Sequence, residues 1–482
     1  MYDRVFYILS DSKGTNYIYN LYTGIKFEID SFSKDIIVRD YERIEEYEDL
    51  YEALIRYDFI DITYKKLEEK IPIVSPYVIW NRENIVYPDM NGQYKIKKIE
   101  IEEYRFLNLI NGITSLAGIF ESLMNVNYSQ IKHLLSYEMQ CIKLIDKKEV
   151  KGAEMYFDCP IVRGEIHEEK EWIDNNEYYN QIKKGREKEQ FEIVETTVSY
   201  MLRDKTRILN NRSFGECFIE QILKRYDLGL GLNILEVGGG LADMADAILG
   251  YFDQRKIECT YSICDNSSVL SQYQEEKLNK KYTSYQKQFI VSDIENLNVD
   301  KTYNVIISNE VIADLRSENV DKNISDSCKK LVEKYQIKDV KGKYINTGAI
   351  RFIEMINKLL EQGGIAVLTE YTDNGNASNI SNMMPDHIEV SINFEVLKQV
   401  AQKNRLNAKV INMQEFFDIT NCLVLAGESY YALKCIYNDL KKKFYTEDEV
   451  KRFNILGYKN LRYEPLSNIL NFFRVLILQK EK

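Results

Sequence analysis

The chain has 482 residues, 45% hydrophobic and 29% charged, which leads us to expect two or three soluble domains with ordinary cores. Its net charge of −11 disfavours a nucleic-acid partner on long-range electrostatics. No apolar run reaches membrane-spanning length, and eight scattered cysteines with three histidines read as free thiols in a cytoplasm, not as a disulfide frame or metal centre.

Residues 1–69 read as a small α+β segment. Val5-Phe-Tyr-Ile-Leu9 and Tyr17-Ile-Tyr-Asn-Leu-Tyr22 have strand character, with Lys13-Gly14 as the turn between them, and a polar helix is expected over about 41–56. The segment also reads as a second, degenerate copy of the one that follows it. There, three short strands are expected at Tyr77-Val-Ile-Trp80, Glu83-Asn-Ile-Val-Tyr87 and Gln93 to Ile101, the last two joined by the turn Pro88-Asp-Met-Asn-Gly92. Three helices come next, Glu102 to Ile110, Ser115 to Met124 and Tyr128 to Gln140, which completes a winged-helix plan. The third helix offers only Lys132 and His133 to a phosphate backbone, too little for a DNA reader.

Two stretches, Ile85-Val-Tyr-Pro-Asp-Met-Asn-Gly-Gln-Tyr-Lys-Ile96 and Leu107-Asn-Leu-Ile-Asn-Gly-Ile-Thr-Ser-Leu-Ala-Gly-Ile-Phe120, give residues 70–146 a different aspect. Together they resemble the PqqD-like peptide-recognition domains of ribosomal peptide-modifying systems. The resemblance implies that the leader of a precursor peptide adds as a strand beside Tyr94 to Ile101, with Tyr94 and Ile96 among its contacts. The competing uses of that edge are packing against the rest of the chain and self-pairing in a homodimer.

Residues 147–194 are dense in charge and short of periodic apolar residues, so they read as a connector with solvated faces. His167 lies there among glutamates, a weak basis for a metal site. The remaining domain, 195–482, opens with an amphipathic run at Thr196 to Leu202 and a helix at Phe214 to Arg225, both expected as a lid over a cofactor.

Next comes Ile234-Leu-Glu-Val237, a buried strand, then Gly238, Gly239 and Gly240, then a helical pattern from Leu241. A strand, a glycine turn and a helix aim backbone N–H groups at a ligand across the strand tip. A dinucleotide fingerprint needs a third glycine in the helix, but Asp243 is found near that place, and Glu236 before the turn would repel phosphate. A cationic ligand fits better, and S-adenosyl-L-methionine has both a sulfonium and an ammonium. Thr260 to Cys264 is a further strand ending in Asp265-Asn266, at the spacing of a ribose-binding acid. Phe289 to Ser292 ends in Asp293-Ile294, suited to an adenine amino group, and Tyr303 to Ser308 ends in Asn309-Glu310. A helix at Ala349 to Glu361, the pair Gly363-Gly364 and a strand at Ile365 to Thr369 complete the alternation. The expected fold is α/β, a Rossmann-like open parallel sheet with helices on both faces, whose strand tips hold S-adenosyl-L-methionine. The long connection 316–343 is expected to build the substrate cleft.

The order of motifs also resembles the MidA-like methyltransferases over about 205–480. The matching residues are Ser213-Phe-Gly-Glu216, Leu235-Glu-Val-Gly-Gly-Gly240, Ser268 to Leu278, Asn309-Glu-Val-Ile-Ala-Asp314, His387 to Leu397, Gln414-Glu-Phe-Phe417 and Asn468 to Leu476. The resemblance implies a class I methyltransferase, in a family whose mitochondrial members methylate an arginine on a respiratory complex I subunit. In that family Asp precedes Ala after the fourth strand; here the order is Ala313-Asp314.

A guanidinium is protonated in water and has no lone pair to give, so its methylation needs carboxylates that localise its charge and take its proton. Glu310 is the first candidate, with Asn309 beside it and Asp314 as a second acid; Tyr371, Asp373 and His387 are candidates for the acceptor pocket. O-methylation of a carboxylate or hydroxyl, on a peptide or a small molecule, or N-methylation of another amine is the alternative, although a carboxylate acceptor would be repelled by Glu310 and Asp314. A non-catalytic assembly factor with a methyltransferase shell is the alternative outside the enzymes. The joint presence of Glu236, Gly238, Gly240, Asp265 and Asp293 argues against it.

Overall fold

The computed structural model describes residues 6–10, 13–20, 26–39, 46–47, 49–50, 53–54, 69–88, 94–123, 131, 134, 141–146 and 198–481, the last stretch without 230, 298–300, 339–341, 374–376, 384–387, 420–421, 438–439, 441–443 and 453–456. The connector 147–194, the turn after Pro88, most of the third winged helix and of the 41–56 helix, and His387 lie outside the described residues. The chain divides into two units: Met1–Val162 with Leu423–Glu464, and Arg163–Cys422 with Pro465–Lys482.

In the first unit, β1 (Phe6–Ser10), β2 (Asn16–Asn20) and β3 (Lys26–Ile29) form an antiparallel meander followed by α1 (Ser31–Arg39). Strand alternation turns Phe6, Ile8, Ile18 and Ile29 towards Ile36 and Ile37 of the helix. Asp30 caps α1, its carboxylate accepting from Ser33 N at 2.6 Å.

The same plan recurs further on. After β4 (Ile71–Val74), strands β5 (Ile79–Trp80), β6 (Asn84–Pro88) and β7 (Tyr94–Lys98) form a second meander, followed by α2 (Ile101–Leu109) and α3 (Leu116–Ser122). Strand β8 (Ile142–Ile145) pairs with β4. Glu100 caps α2 in a capping box with Glu103. Trp80, Ile85, Ile99, Phe106 and Leu107 take the places that Ile8, Ile18, Ile29, Ile36 and Ile37 hold in the first module, and the cross-strand pairs Ile8↔Ile18 and Trp80↔Ile85 correspond.

The opposite face of β5 and β6 carries Ile79 and Val86, and the helix Gly427–Ile436 covers it with Tyr430 and Leu433. Residues 423–464, expected within the 195–482 domain, group with the first unit, where they bury this apolar face.

The second unit begins with α4 (Val198–Met201) and α5 (Phe214–Arg225), then alternates β9 (Leu232–Val237), α6 (Asp243–Arg255), β10 (Cys259–Asp265), α7 (Ser268–Lys281), β11 (Gln286–Val291), β12 (Tyr303–Asn309), α8 (Thr347–Leu359) and β13 (Leu360–Tyr371). It continues with α9 (Phe394–Lys403) and β14 (Leu406–Asn412), and after Pro465 the chain supplies β15 (Phe473–Lys480). The sheet order is β11-β10-β9-β12-β13-β15-β14. Strands β9 to β13 are parallel as the alternation requires, but β15 runs antiparallel to both neighbours, so the sheet is mixed and not all-parallel. The fold is that of a class I methyltransferase-like α/β domain. Central strands buried on both faces explain the unbroken apolar runs Val305-Ile-Ile307 and Ile365-Ala-Val-Leu368. The Ser213-Phe-Gly-Glu216 motif is a capping box that starts α5. Among the described residues no helix is long and apolar enough to cross a membrane.

Candidate active site

Strand order reverses direction between β9 and β12, and in an open α/β sheet a crevice forms at the carboxyl ends of the strands there. The glycine turn lies on one side of it. Gly238 has φ +73°, and a Cβ on it would sit 2.4 Å from Val311 Cγ2, so the turn packs directly against the chain just beyond β12. Gly240, at φ +47°, has no atom within 4 Å of where its Cβ would lie. The first glycine is demanded by packing; the last leaves open space beside the backbone.

Acids surround this turn. Glu236 is fully buried, and Tyr261 Oη donates to its Oε2 at 2.7 Å. Burial pushes its carboxyl up to about 8, with the tyrosine hydrogen bond pulling the other way. Asp265 is buried at the tip of β10; burial raises its carboxyl, opposed by donation from Ser267 N at 3.1 Å and Gln274 Nε2 at 2.9 Å. Asn266, the next residue, is half-buried. Asp293 caps a short 3-10 turn, Ile294–Asn296, accepting from Glu295 N at 2.8 Å, and Ile294 is buried in the main core. Asp243 is paired with Lys277 at 2.7 Å.

Buried acids, open space beside Gly240 and, among the described residues, a Lys277 already paired with Asp243 suit a ligand that carries positive charge and a ribose. S-adenosyl-L-methionine fits: Asp265 and Asn266 would take the ribose, Asp293 and Ile294 the adenine, and the turn with Glu236 the cationic methionine end.

A pH dependence follows for Glu236. Because its folded carboxyl is raised from 4.5 to about 8, the stability it contributes without ligand is greatest below 4.5 and is lost as pH rises through about 8. A bound cation favours the ionised form, so binding releases a proton and cofactor affinity should rise with pH up to about 8. Isothermal titration at several pH values, with Glu236→Gln as the flat comparison, checks this; equal slopes in the two proteins would count against it.

The other side of the crevice is the end of β12. Asn309 accepts from Thr369 Oγ1 at 2.7 Å and donates from Nδ2 to Ser199 Oγ at 2.9 Å. Glu310 has φ +53°, a left-handed backbone unusual for a non-glycine residue, and its N donates to Thr369 O at 3.0 Å. Its carboxylate accepts from Val198 N at 2.9 Å and Ser199 Oγ at 2.6 Å, with Ser199 N farther off at 3.4 Å. Helix α4, expected as a lid over the cofactor, is thus fastened to Asn309 and Glu310.

Asp314 is half-buried one turn further on. Near it lies an acid absent from the sequence-based candidates. Glu370 is buried in β13 and accepts from Ala313 N at 3.1 Å and Tyr371 N at 2.8 Å. Burial holds its carboxyl well above the usual range, and the charges of Asp314 and Glu310 push the same way. The signal was visible: a lone acid inside the apolar run Ile365 to Thr369-Glu370. Ser199 and Gln274 carried no such signal.

Tyr371 stacks on Phe472, with ring centroids 5.8 Å apart, and Asp373 accepts from Asn379 Nδ2 at 3.1 Å. Tyr371 closes β13 and Asp373 lies two residues beyond it, so both are at the carboxyl end of that strand. Tyr94 and Ile96 belong to the first unit. Tyr94 Oη donates to Glu428 O at 3.2 Å, and Ile96 is 48% exposed on β7. Among the described residues no group of His, Cys, Asp and Glu is placed to hold a metal ion.

A family model described as "Putative S-adenosyl-L-methionine-dependent methyltransferase" matches residues 217–315, from α5 to just beyond Asp314. No curated protein matches the chain. Among solved structures, an uncharacterized protein from Burkholderia thailandensis is 11% identical, covering 64% of this chain and 87% of its own, with a TM-score of 0.39. A S-adenosylmethionine-dependent methyltransferase from Clostridium acetobutylicum is 9% identical over 61% of this chain and 97% of its own, TM-score 0.31. Magnesium protoporphyrin IX methyltransferase from Synechocystis, solved with bound S-adenosylmethionine, is 9% identical over 64% and 95%, TM-score 0.32.

Proposed function

We propose that this chain, a S-adenosyl-L-methionine-dependent methyltransferase, methylates an arginine side chain of a ribosomally made precursor peptide whose leader binds the first unit. The observation that carries the acceptor assignment is the packing of Val311 on Gly238, which sets Glu310 one residue away from the cofactor turn.

S-adenosyl-L-methionine supplies an electrophilic sulfonium methyl when bound. The chain's part is alignment, exclusion of water and treatment of the acceptor. Each carboxylate oxygen can accept more than one hydrogen bond, so Glu310 can hold Val198 and Ser199 and still meet a guanidinium N–H. Its negative charge localises the guanidinium charge and receives the proton lost as the new N–C bond forms. Asp314 deepens the negative potential. A carboxylate acceptor would enter against Glu310 and Asp314, which is why O-methylation of such a group is the weaker reading.

Support for leader capture comes from β7. Among the described residues its one strand partner is β6, Cys435 Sγ donates to Tyr94 O at 3.4 Å at its start, and Lys95, Ile96, Lys97 and Lys98 are exposed along it. An open strand edge offers backbone hydrogen bonds to an extended peptide, and lysines favour an acidic one. Mass spectrometry of leader-bearing and leaderless arginine peptides, incubated with the protein and cofactor, tests the whole reading. Methylation confined to arginine in leader-bearing peptides is expected; a methyl ester product, or equal turnover of both peptides, would refute it.

A further inference from the structure

Gln274 lies in the second turn of α7, is completely buried and reaches beneath the glycine turn, where a Cβ on Gly239 would come within 3.1 Å of its Nε2. Its Nε2 donates twice, to Gly240 O at 3.0 Å and to Asp265 Oδ2 at 2.9 Å. The reversed amide would set Oε1 against two acceptors, so the orientation is determined by the partners. Oε1 itself is buried with no hydrogen-bond partner. A buried, unsatisfied amide oxygen is costly where an apolar side chain of the same length would fill the space without penalty. The residue is therefore worth having for its two N–H groups, which join the glycine turn to the acid at the tip of β10.

We propose that Gln274 is a positioning residue: it ties the Asp265 carboxylate to the glycine turn and so presents that carboxylate to the ribose hydroxyls. Ser267 N donates to Oδ1 at 3.1 Å and Gln274 to Oδ2 at 2.9 Å, and the backbone N–H groups of Gly240 and Asn266 donate to the same carboxylate, so its plane cannot swing. Selection of ribose over deoxyribose would then depend on a residue that need not touch the sugar. The inference rests on the cofactor and is independent of which acceptor is methylated.

The test is isothermal titration of S-adenosylhomocysteine and its 2′-deoxy and 3′-deoxy analogues into the wild type and Gln274→Met, which keeps side-chain length and removes both donors. In the wild type each missing hydroxyl should weaken binding about tenfold; in Gln274→Met the parent compound should bind about tenfold more weakly and the analogues almost equally with it. Adding Asp265→Asn to Gln274→Met should leave that ratio unchanged. Should Gln274→Met fail a thermal-melt check, Gln274→Asn, an amide too short to span both partners, serves with the same expectation. Uniform weakening of all three ligands would make Gln274 a packing residue and overturn the proposal, as would a wild type indifferent to the hydroxyls. A wild type that binds none of the three would overturn the cofactor itself, which is a separate failure.

Discussion

Glu310→Gln is expected to slow methyl transfer about 100-fold or more while leaving S-adenosyl-L-methionine affinity unchanged. The amide keeps the side chain's shape and one oxygen for Val198 N, so α4 should stay in place; what disappears is the negative charge opposite the acceptor. Single-turnover transfer to a methylatable peptide, measured beside cofactor titration, separates the two effects. Glu310→Ala should add a second symptom. With no acceptor for Val198 N or for Ser199, the amides of 198–201 should exchange with solvent faster. Full turnover by Glu310→Gln would remove the carboxylate from the mechanism. The positive φ of Glu310 sharpens the argument, because a left-handed non-glycine residue costs about 1–2 kcal/mol and such conformations gather at functional sites.

The two outer glycines of the turn should respond very differently to alanine. At Gly238 the new methyl meets Val311 Cγ2 at 2.4 Å and the backbone is left-handed, so overpacking and strain together should cost about 2–5 kcal/mol of stability. At Gly240 nothing stands within 4 Å, so Gly240→Ala should lose only about 1–2 kcal/mol from its backbone. It should nonetheless bind the cofactor poorly, since its methyl would fill the space left open beside the turn. Denaturant unfolding and titration with S-adenosylhomocysteine, done on both variants, give the four values needed. Equal stability losses would mean that the Val311 contact relaxes at no cost.

Much of the catalytic sheet was legible because its signals are local. An apolar run followed by an acid or a glycine marks a strand tip, and this pattern located the ends of β9, β10, β11 and β12 with Gly238, Asp265, Asp293 and Asn309. The rest depends on partners far away in sequence. Nothing near Phe473 announces that β15 will lie between β13 and β14, and nothing near Tyr430 announces that it will cover Val86. Ser199 looks like any serine opening a helix until the fold brings Glu310 beside it. Gln274 reads as a polar residue on a charged helix, and only its complete burial reveals a role.

The placement of β15 bears on how the polypeptide acquires its shape during synthesis. Strand β14 is made first, yet its sole sheet neighbour among the described residues comes only after the whole 423–464 excursion, whose ends close again where Leu466 N meets Cys422 O at 2.9 Å. Until then the apolar edge of β13, Ile365 to Leu368, has no strand to cover it and is open to wrong pairing with other nascent chains. The excursion thus acts as a delay between two halves of a seam, which closes only when the last strand has emerged.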